Sequence, residues 1–345
     1  MHIKTTLSLV KTGRARLLWT ITQLFDPYYR LSFLAAAISS GTLERLAGRR
    51  VAFDDLARDF APDAEAKPGF KAWLDVGVRL GELEVTNDTY FLRGYLAKML
   101  AKPENDEVAA LVQEIASFHH RLILESPARF KEGKRWTLAE HDAEMIARSS
   151  RIMEPFMFQA IDWAVPAKGP LRLLEIGCGA GTYLRYAAER NPEISGVGIE
   201  LDPVVAESTS KSMTSWGLER RFRIEMGDVR SRQFGRSFDI VTLYNVIYYF
   251  PRAERIALFA ELASFLRPGG KLIVTTSCRG GSVGMRMLDV WTSSTSGLGP
   301  LPTPDELIGQ LREAGFVDIQ SKRIIPGEPH YAFVGYPNAL QSMRA

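Results

Sequence analysis

The sequence predicts a doubly wound α/β sheet in the C-terminal half, finished by an antiparallel terminal strand pair and preceded by a mostly helical, winged-helix-like segment. Three observations carry this. From residue 171 onward short apolar runs alternate with helical periodicity, the pattern of buried parallel strands joined by crossover helices. The first of those runs ends in Gly177, Gly179 and Gly181 just before a helix. Residues 15–92 follow the order helix, short helix, helix, hairpin, which is that of a winged helix. At 345 residues the chain is long enough for two cores of about 100–200 residues each. The expected organisation is a winged-helix-like domain over 1–100, a helical linker and substrate cap over 101–165, and a ligand-binding domain over 166–345.

Taken in order, residues 15–48 read as two helices broken at Asp26-Pro27, with Leu31, Leu34, Ala35 and Ile38 at helical spacing in the second. A short amphipathic helix follows at 51–60. The next helix opens near Pro68 and stops near Gly81, and 82–92 forms a hairpin around Asn87-Asp88. Helical patterns return at 107–125 and 139–164, the latter kinked or divided at Pro155. Pro166, Gly169 and Pro170 then mark the boundary. Strands are expected at 171–176, 195–200, 222–226, 238–244 and 271–277, with helices near 182–190, 203–215, 252–266 and 304–314. The pair 316–324 and 330–336 completes the sheet as an edge hairpin. Residues 278–304 form either a mobile wall or a helix with one loop, since 283–291 is compatible with a helix.

Composition narrows the class. With 46% hydrophobic and 24% charged residues, the chain has the balance of a globular protein. A formal charge of +3 does not provide the concentrated basic face that nucleic-acid binding needs. The first sixteen residues hold Lys4, Lys11, Arg14 and Arg16 without an acid, and read as a loose or interface-packed arm. Cys178 and Cys278 are the only cysteines, too few and too separated for a disulfide framework or a zinc site, so no metal is expected. The longest apolar runs fall far short of the roughly 20 residues that cross a bilayer. A cytoplasmic protein is the expectation.

The most informative segment is 173-LLEIGCGAGTYL-184. Glycine permits backbone angles and close ligand approach that a side chain blocks, and the following helix offers free N–H groups. A G-x-G pattern alone would also open a dinucleotide site, but Glu175 would repel a diphosphate and attract an ammonium group. Glu200, ending the second strand, can accept both hydroxyls of a ribose. Asp202 precedes Pro203 and is placed to cap the next helix. Asp228, after the third strand, can accept from an adenine amino group, with Met226 or Val229 covering the ring; alternatively it braces the turn after Gly227.

On Glu175, Gly177, Gly179 and Gly181, then Glu200, then Asp228, the region 165–336 resembles the class I S-adenosylmethionine-dependent methyltransferases, whose sheet is Rossmann-like. The resemblance implies S-adenosyl-L-methionine as cofactor, held by those residues together with Val229 and Asn245. The front half is similar to small-molecule O-methyltransferases of the plant and bacterial type, whose winged helix serves dimerisation and closes the substrate pocket. That likeness implies a homodimer, a small-molecule substrate and a place in secondary metabolism.

In that group a catalytic histidine follows the fourth strand in a motif like H-x-x-H-D-W. Here 243-LYNVIYYF-250 puts Asn245 at the first histidine and Tyr248 at the catalytic one. A phenol, with an ordinary pKa of about 10, is a poor base at neutral pH, so Tyr248 is expected to orient substrate or close the pocket, or simply to pack above the sheet. If a base exists it comes from the helices, from His119, His120 or His141. Arg148 would hold a substrate carboxylate or enolate, or else form a surface salt bridge. Phe156, Met157, Phe158 and Trp163 with Tyr244, Tyr248 and Tyr249 are expected to form an apolar lid around a planar substrate, and Met285, Met287 and Trp291 to add contacts.

The function expected is methyl transfer to a small aromatic or apolar metabolite at oxygen, carbon or nitrogen. The rivals are an RNA or protein methyltransferase, a noncatalytic S-adenosylmethionine sensor or DNA-binding winged-helix regulator, and an NAD-dependent oxidoreductase. The expected recognition helix, 70–80, offers only Lys71 and Arg79 against Asp75, poor ground for gripping a phosphate backbone.

Overall fold

The computed structural model describes residues 10–338, so Lys4 and most of the expected N-terminal arm lie outside the described residues. The chain divides into two compact units. The first runs to Glu125 and includes His141–Ile152; the second comprises Ser126–Glu140 and the chain from Met153 onward. Residues 101–165, read from the sequence as one region, are thus shared between the two.

The first unit holds helices Phe25–Ser39, Thr42–Leu46, Phe53–Phe60 and Lys67–Arg79 and a small antiparallel sheet. Its strands are β1 (Val51–Ala52), β2 (Leu83–Thr86) and β3 (Thr89–Leu92), in the order β1-β3-β2. Asn87 and Asp88 at φ of 50° and 57° make the two-residue turn whose twist suits a hairpin. Phe33, Leu34, Leu46, Leu56, Leu74 and Tyr90 meet in one core.

The structure corrects two local expectations, at Asp26-Pro27 and at Val51–Ala52. The helix expected to break at Asp26-Pro27 instead begins at Phe25, because proline in a first turn has no intrahelical N–H bond to lose. Gly41, at φ 78°, separates Thr42–Leu46 from the helix before it. Val51–Ala52 is a strand bridging to β3 rather than the start of a helix. Asp106–Glu114 continues through a π-helical turn, Ile115–His119, and Ala143–Ser150 is capped by Asp142, which accepts from the Met145 N–H at 2.9 Å.

The second unit is built on a seven-stranded sheet ordered β6-β5-β4-β7-β8-β10-β9. These are β4 (Leu171–Ile176), β5 (Ile194–Glu200), β6 (Phe222–Met226), β7 (Phe238–Tyr244), β8 (Leu266–Ser277), β9 (Phe316–Arg323) and β10 (His330–Pro337). The first five of that order run parallel, and β10 is antiparallel to both β8 and β9. Neighbours in sequence split between the two faces: Leu174, Val241 and Val274 join Phe259 and Leu262 on one, Leu173, Ile240 and Ile273 join Ile161 and Ala187 on the other. Burial on both sides is why the middles of these strands read as apolar runs. β8 starts at Leu266, five residues before its expectation, and Val283–Ser294 is a helix capped by Ser282, which decides between the two readings of 278–304.

Candidate active site

Parallel strands deliver their carboxyl ends to one edge of the sheet, where the crevice of a doubly wound fold opens. β4 delivers Glu175 there, 1% exposed, with neither carboxylate oxygen hydrogen-bonded. Burial first, and the charge of Glu200 second, push its carboxyl well above the ordinary range. A buried acid without donors is costly and calls for a donor from outside the chain.

The loop after β4 has left-handed φ values of 66°, 48° and 77° at Gly177, Gly179 and Gly181. At Gly181 the requirement is also steric, since a Cβ would lie 2.4 Å from Met213 Cε. Around Gly179 no atom comes within 4 Å of a built Cβ, so this part of the loop faces open space.

Glu200 closes the loop from the next strand. Its Oε2 accepts from the Gly179 N–H at 2.9 Å, and its Oε1 accepts from the N–H groups of Leu201 and Asp202 at 2.9 and 3.1 Å. Asp202 Oδ1 is taken by the N–H groups of Val204 and Val205, so it caps the Pro203–Ser215 helix. Asp228 braces its own turn by accepting from the Arg230 N–H at 2.9 Å, and the Arg230 guanidinium donates to both its oxygens at 2.7 to 3.1 Å. That guanidinium holds the Asp228 carboxyl below its usual range, and its other arm reaches Glu254 at 2.8 Å. Val229 is 2% exposed and belongs to the core, whereas Met226 is 56% exposed.

Asn245 follows β7, the neighbour of β4, at φ 57°. Its N–H donates to the Thr275 carbonyl at 2.9 Å and its Nδ2 contacts Met157 Sδ at 3.5 Å. The side-chain carbonyl oxygen is buried without a partner. Orphan acceptors therefore stand at the ends of two adjacent strands, an arrangement matched to an ammonium group and hostile to a diphosphate.

Tyr248 lies on a 3₁₀ turn, Ile247–Tyr249, just beyond Asn245. Its ring centroid is 5.1 Å from Tyr249 and 6.2 Å from Trp291, and Tyr249 stands 6.1 Å from Trp291. Tyr249 is 40% exposed, so it forms the open side of this wall. The single lid expected from the sequence is divided in two. Phe158 stacks on Tyr186 at 4.0 Å and Tyr183 meets Tyr244 at 5.1 Å, a cluster separate from the Tyr248–Tyr249–Trp291 wall. Met157, fully buried, joins Phe156 and Trp163 in core packing instead.

One contributor escaped the sequence reading. Arg255, 1% exposed, donates from Nε to the Phe250 carbonyl at 3.1 Å and from Nη2 to the Pro300 carbonyl at 2.8 Å, while the Gly299 N–H reaches the Tyr248 carbonyl at 2.9 Å. Burial brings this guanidinium down to about 10. It ties the turn bearing Tyr248 to the loop after the Trp291 helix. Nothing in its local sequence distinguishes it from the surface arginine Arg252.

The remaining candidates lie in the first unit, where each has a neighbour. His119 is 3.4 Å from Glu114, His120 faces Tyr28 with ring centroids 6.0 Å apart, and His141 meets Phe118 edge-on at 4.4 Å. Arg148 donates from Nε and Nη2 to Asp106 at 3.0 and 2.5 Å, the salt bridge weighed against a substrate role. Among the described residues no cluster of three or more His, Cys, Asp or Glu has a metal-holding arrangement, and no helix is long and apolar enough to cross a membrane.

Comparison with known proteins identifies the family and the fold. The family described as "Methyltransferase domain" matches residues 110–321. Demethylspheroidene O-methyltransferase of Rhodobacter capsulatus is 26% identical over 192 residues, 54% of this chain and 46% of that protein. Ubiquinone biosynthesis O-methyltransferase of Aeromonas salmonicida is 25% identical over 120 residues, 34% of this chain and 48% of that protein. The chain thus spans about half the length of these two relatives. Among solved structures, mitomycin 7-O-methyltransferase MmcR superposes with a TM-score of 0.78 at 17% identity, covering 94% of this chain and 99% of that one. PigF with S-adenosylhomocysteine gives 0.74 at 17% identity, covering 92% and 99%. At such identities these likenesses speak for the fold.

Proposed function

Because the chain belongs to the methyltransferase-domain family, we propose that it is an S-adenosylmethionine-dependent enzyme that methylates a small aromatic or apolar metabolite. The observation that carries this is the set of acceptors at successive strand ends: Glu175 and Asn245 buried without donors, Glu200 on the glycine loop, and Asp228 after β6. In this reading Glu175 and Asn245 accept from the cofactor's amino group, Glu200 from its ribose and Asp228 from its adenine. When bound, S-adenosylmethionine supplies an electrophilic methyl group on a sulfonium, and an in-line nucleophile takes it. The Tyr248–Tyr249–Trp291 wall orients a planar acceptor by apolar contact, and the Tyr248 hydroxyl by a hydrogen bond to it. Oxygen is the favoured acceptor atom, since the two relatives above are O-methyltransferases by name.

Positioning rather than proton removal is the role assigned to Tyr248. Tyr248→Phe is expected to change turnover or acceptor KM by about three- to tenfold, the worth of one hydrogen bond, with the S-adenosylhomocysteine dissociation constant within about twofold. Isothermal titration and transfer of labelled methyl to a panel of phenols and hydroxyquinones read the two effects. Calorimetry with S-adenosylhomocysteine beside NAD tests the reading as a whole: uptake of NAD alone would overturn it.

A second copy of the chain is proposed to cover the N-terminal region, so that residues 1–100 serve association. Leu17, Leu18, Trp19, Leu24, Tyr28 and Tyr29 are each at least 51% exposed, and so much apolar surface in one stretch supports this reading. Trp19→Asp should convert a dimer to a monomer in light scattering; an unchanged mass, or a monomeric wild type, would reject this. Cys178 and Cys278 are buried free thiols, which supports a cytoplasmic location.

A further inference from the structure

The Pro203–Ser215 helix carries six hydroxyls, three of which bond back within the helix itself. Ser212 donates to the Ser208 carbonyl, Thr214 to Ser210 and Ser215 to Ser212, the local back-bonding expected of such side chains. Thr209 behaves differently. Its Oγ1 donates to the Gly179 carbonyl, thirty residues away, at 2.5 Å, and the residue is 1% exposed. Its γ-methyl is committed as well, lying 2.9 Å from where a Cβ at Gly181 would stand.

Gly179 is therefore held from both sides, its carbonyl by Thr209 and its N–H by Glu200 Oε2. The Glu200 carboxylate already accepts three N–H groups, two on Oε1 and one on Oε2. With about four acceptor positions on a carboxylate, two ribose hydroxyls cannot be added without releasing one amide. The Gly179 N–H, alone on Oε2 beside open space, is the one placed to yield. Once it does, the Thr209 bond is what still anchors that residue.

We propose that Thr209 is a positioning residue for the nucleoside site: it keeps Gly179 in the cradle while Glu200 exchanges an amide for the ribose. This rests on the cofactor reading above. The test is calorimetry with S-adenosylhomocysteine on the full chain carrying Thr209→Val, which keeps shape and loses the hydroxyl, and Thr209→Ser, which keeps the hydroxyl and loses the methyl. Valine should raise the dissociation constant about five- to tenfold, as for one lost hydrogen bond, and serine should stay within about twofold. Hydrogen exchange over 177–182 in the complex should be faster with valine and wild-type-like with serine, a pattern that loss of packing would reverse. If the valine variant does not fold, the Thr209→Ala and Thr209→Ser pair makes the same comparison. Wild-type affinity in the valine variant, or an equal loss in the serine variant, overturns the proposal. Failure of the wild type itself to bind overturns the cofactor reading and this role with it.

Discussion

Glu200→Ala should weaken binding of S-adenosylhomocysteine by about 100-fold, the loss expected when a charged acceptor leaves a site where it meets several donors. Two losses combine. The ribose loses its carboxylate, and the N–H groups of Gly179, Leu201 and Asp202 lose the oxygen atoms on which they converge. The glycine loop and the start of the next helix are thereby loosened together. Asp228→Ala should cost less, about tenfold, since Asp228 meets one part of the ligand and its removal leaves Arg230 still paired with Glu254. Calorimetry on folded variants ranks the two; affinity unchanged in Glu200→Ala would remove the ribose assignment.

The second large effect concerns stability against acid. His330 begins β10 opposite Ser277, 1% exposed, its Nδ1 2.9 Å from the Ser277 hydroxyl and its Nε2 without a partner. Burial alone pulls the imidazole from an ordinary 6.5 down to about 4. Between those values the unfolded chain binds a proton that the folded chain refuses. This contribution is complete above pH 6.5 and is lost as pH falls toward 4, at most about 3 kcal/mol by linkage. Urea unfolding at pH 7 and pH 4.5 should show that drop in the wild type and a smaller one in His330→Asn, which keeps a polar group toward Ser277. Equal drops in both proteins would mean that other groups carry the acid sensitivity.

The strands were the most legible part of the chain. β4, β6 and β7 span the residues expected of them; β4 and β7 are buried over most of their length and so read as mainly apolar runs, while the edge strand β6 is bounded by the turn at Gly227. The glycine loop and the acids after β4, β5 and β6 were legible for a related reason: residue type and spacing alone place them at one edge. Helix ends were less so. Pro27 inside a first turn and Val51–Ala52 in a strand depend on what packs or pairs nearby, which local pattern does not encode.

Local partners such as the Asp202 cap and the Asp228 turn were legible, and distant ones were not. The sequence determined the alternating fold, the crevice where its acids gather and the kind of ligand they suit. Only the tertiary structure decided that Glu175 and the Asn245 side-chain oxygen stand without donors, that Arg148 belongs to Asp106, and that Thr209 and Arg255 hold the loops around the site. The physical reason is range. Strand and helix periodicity are properties of neighbours along the chain, whereas a hydrogen bond across thirty residues and the desolvation of a charge exist only after the chain has closed around them.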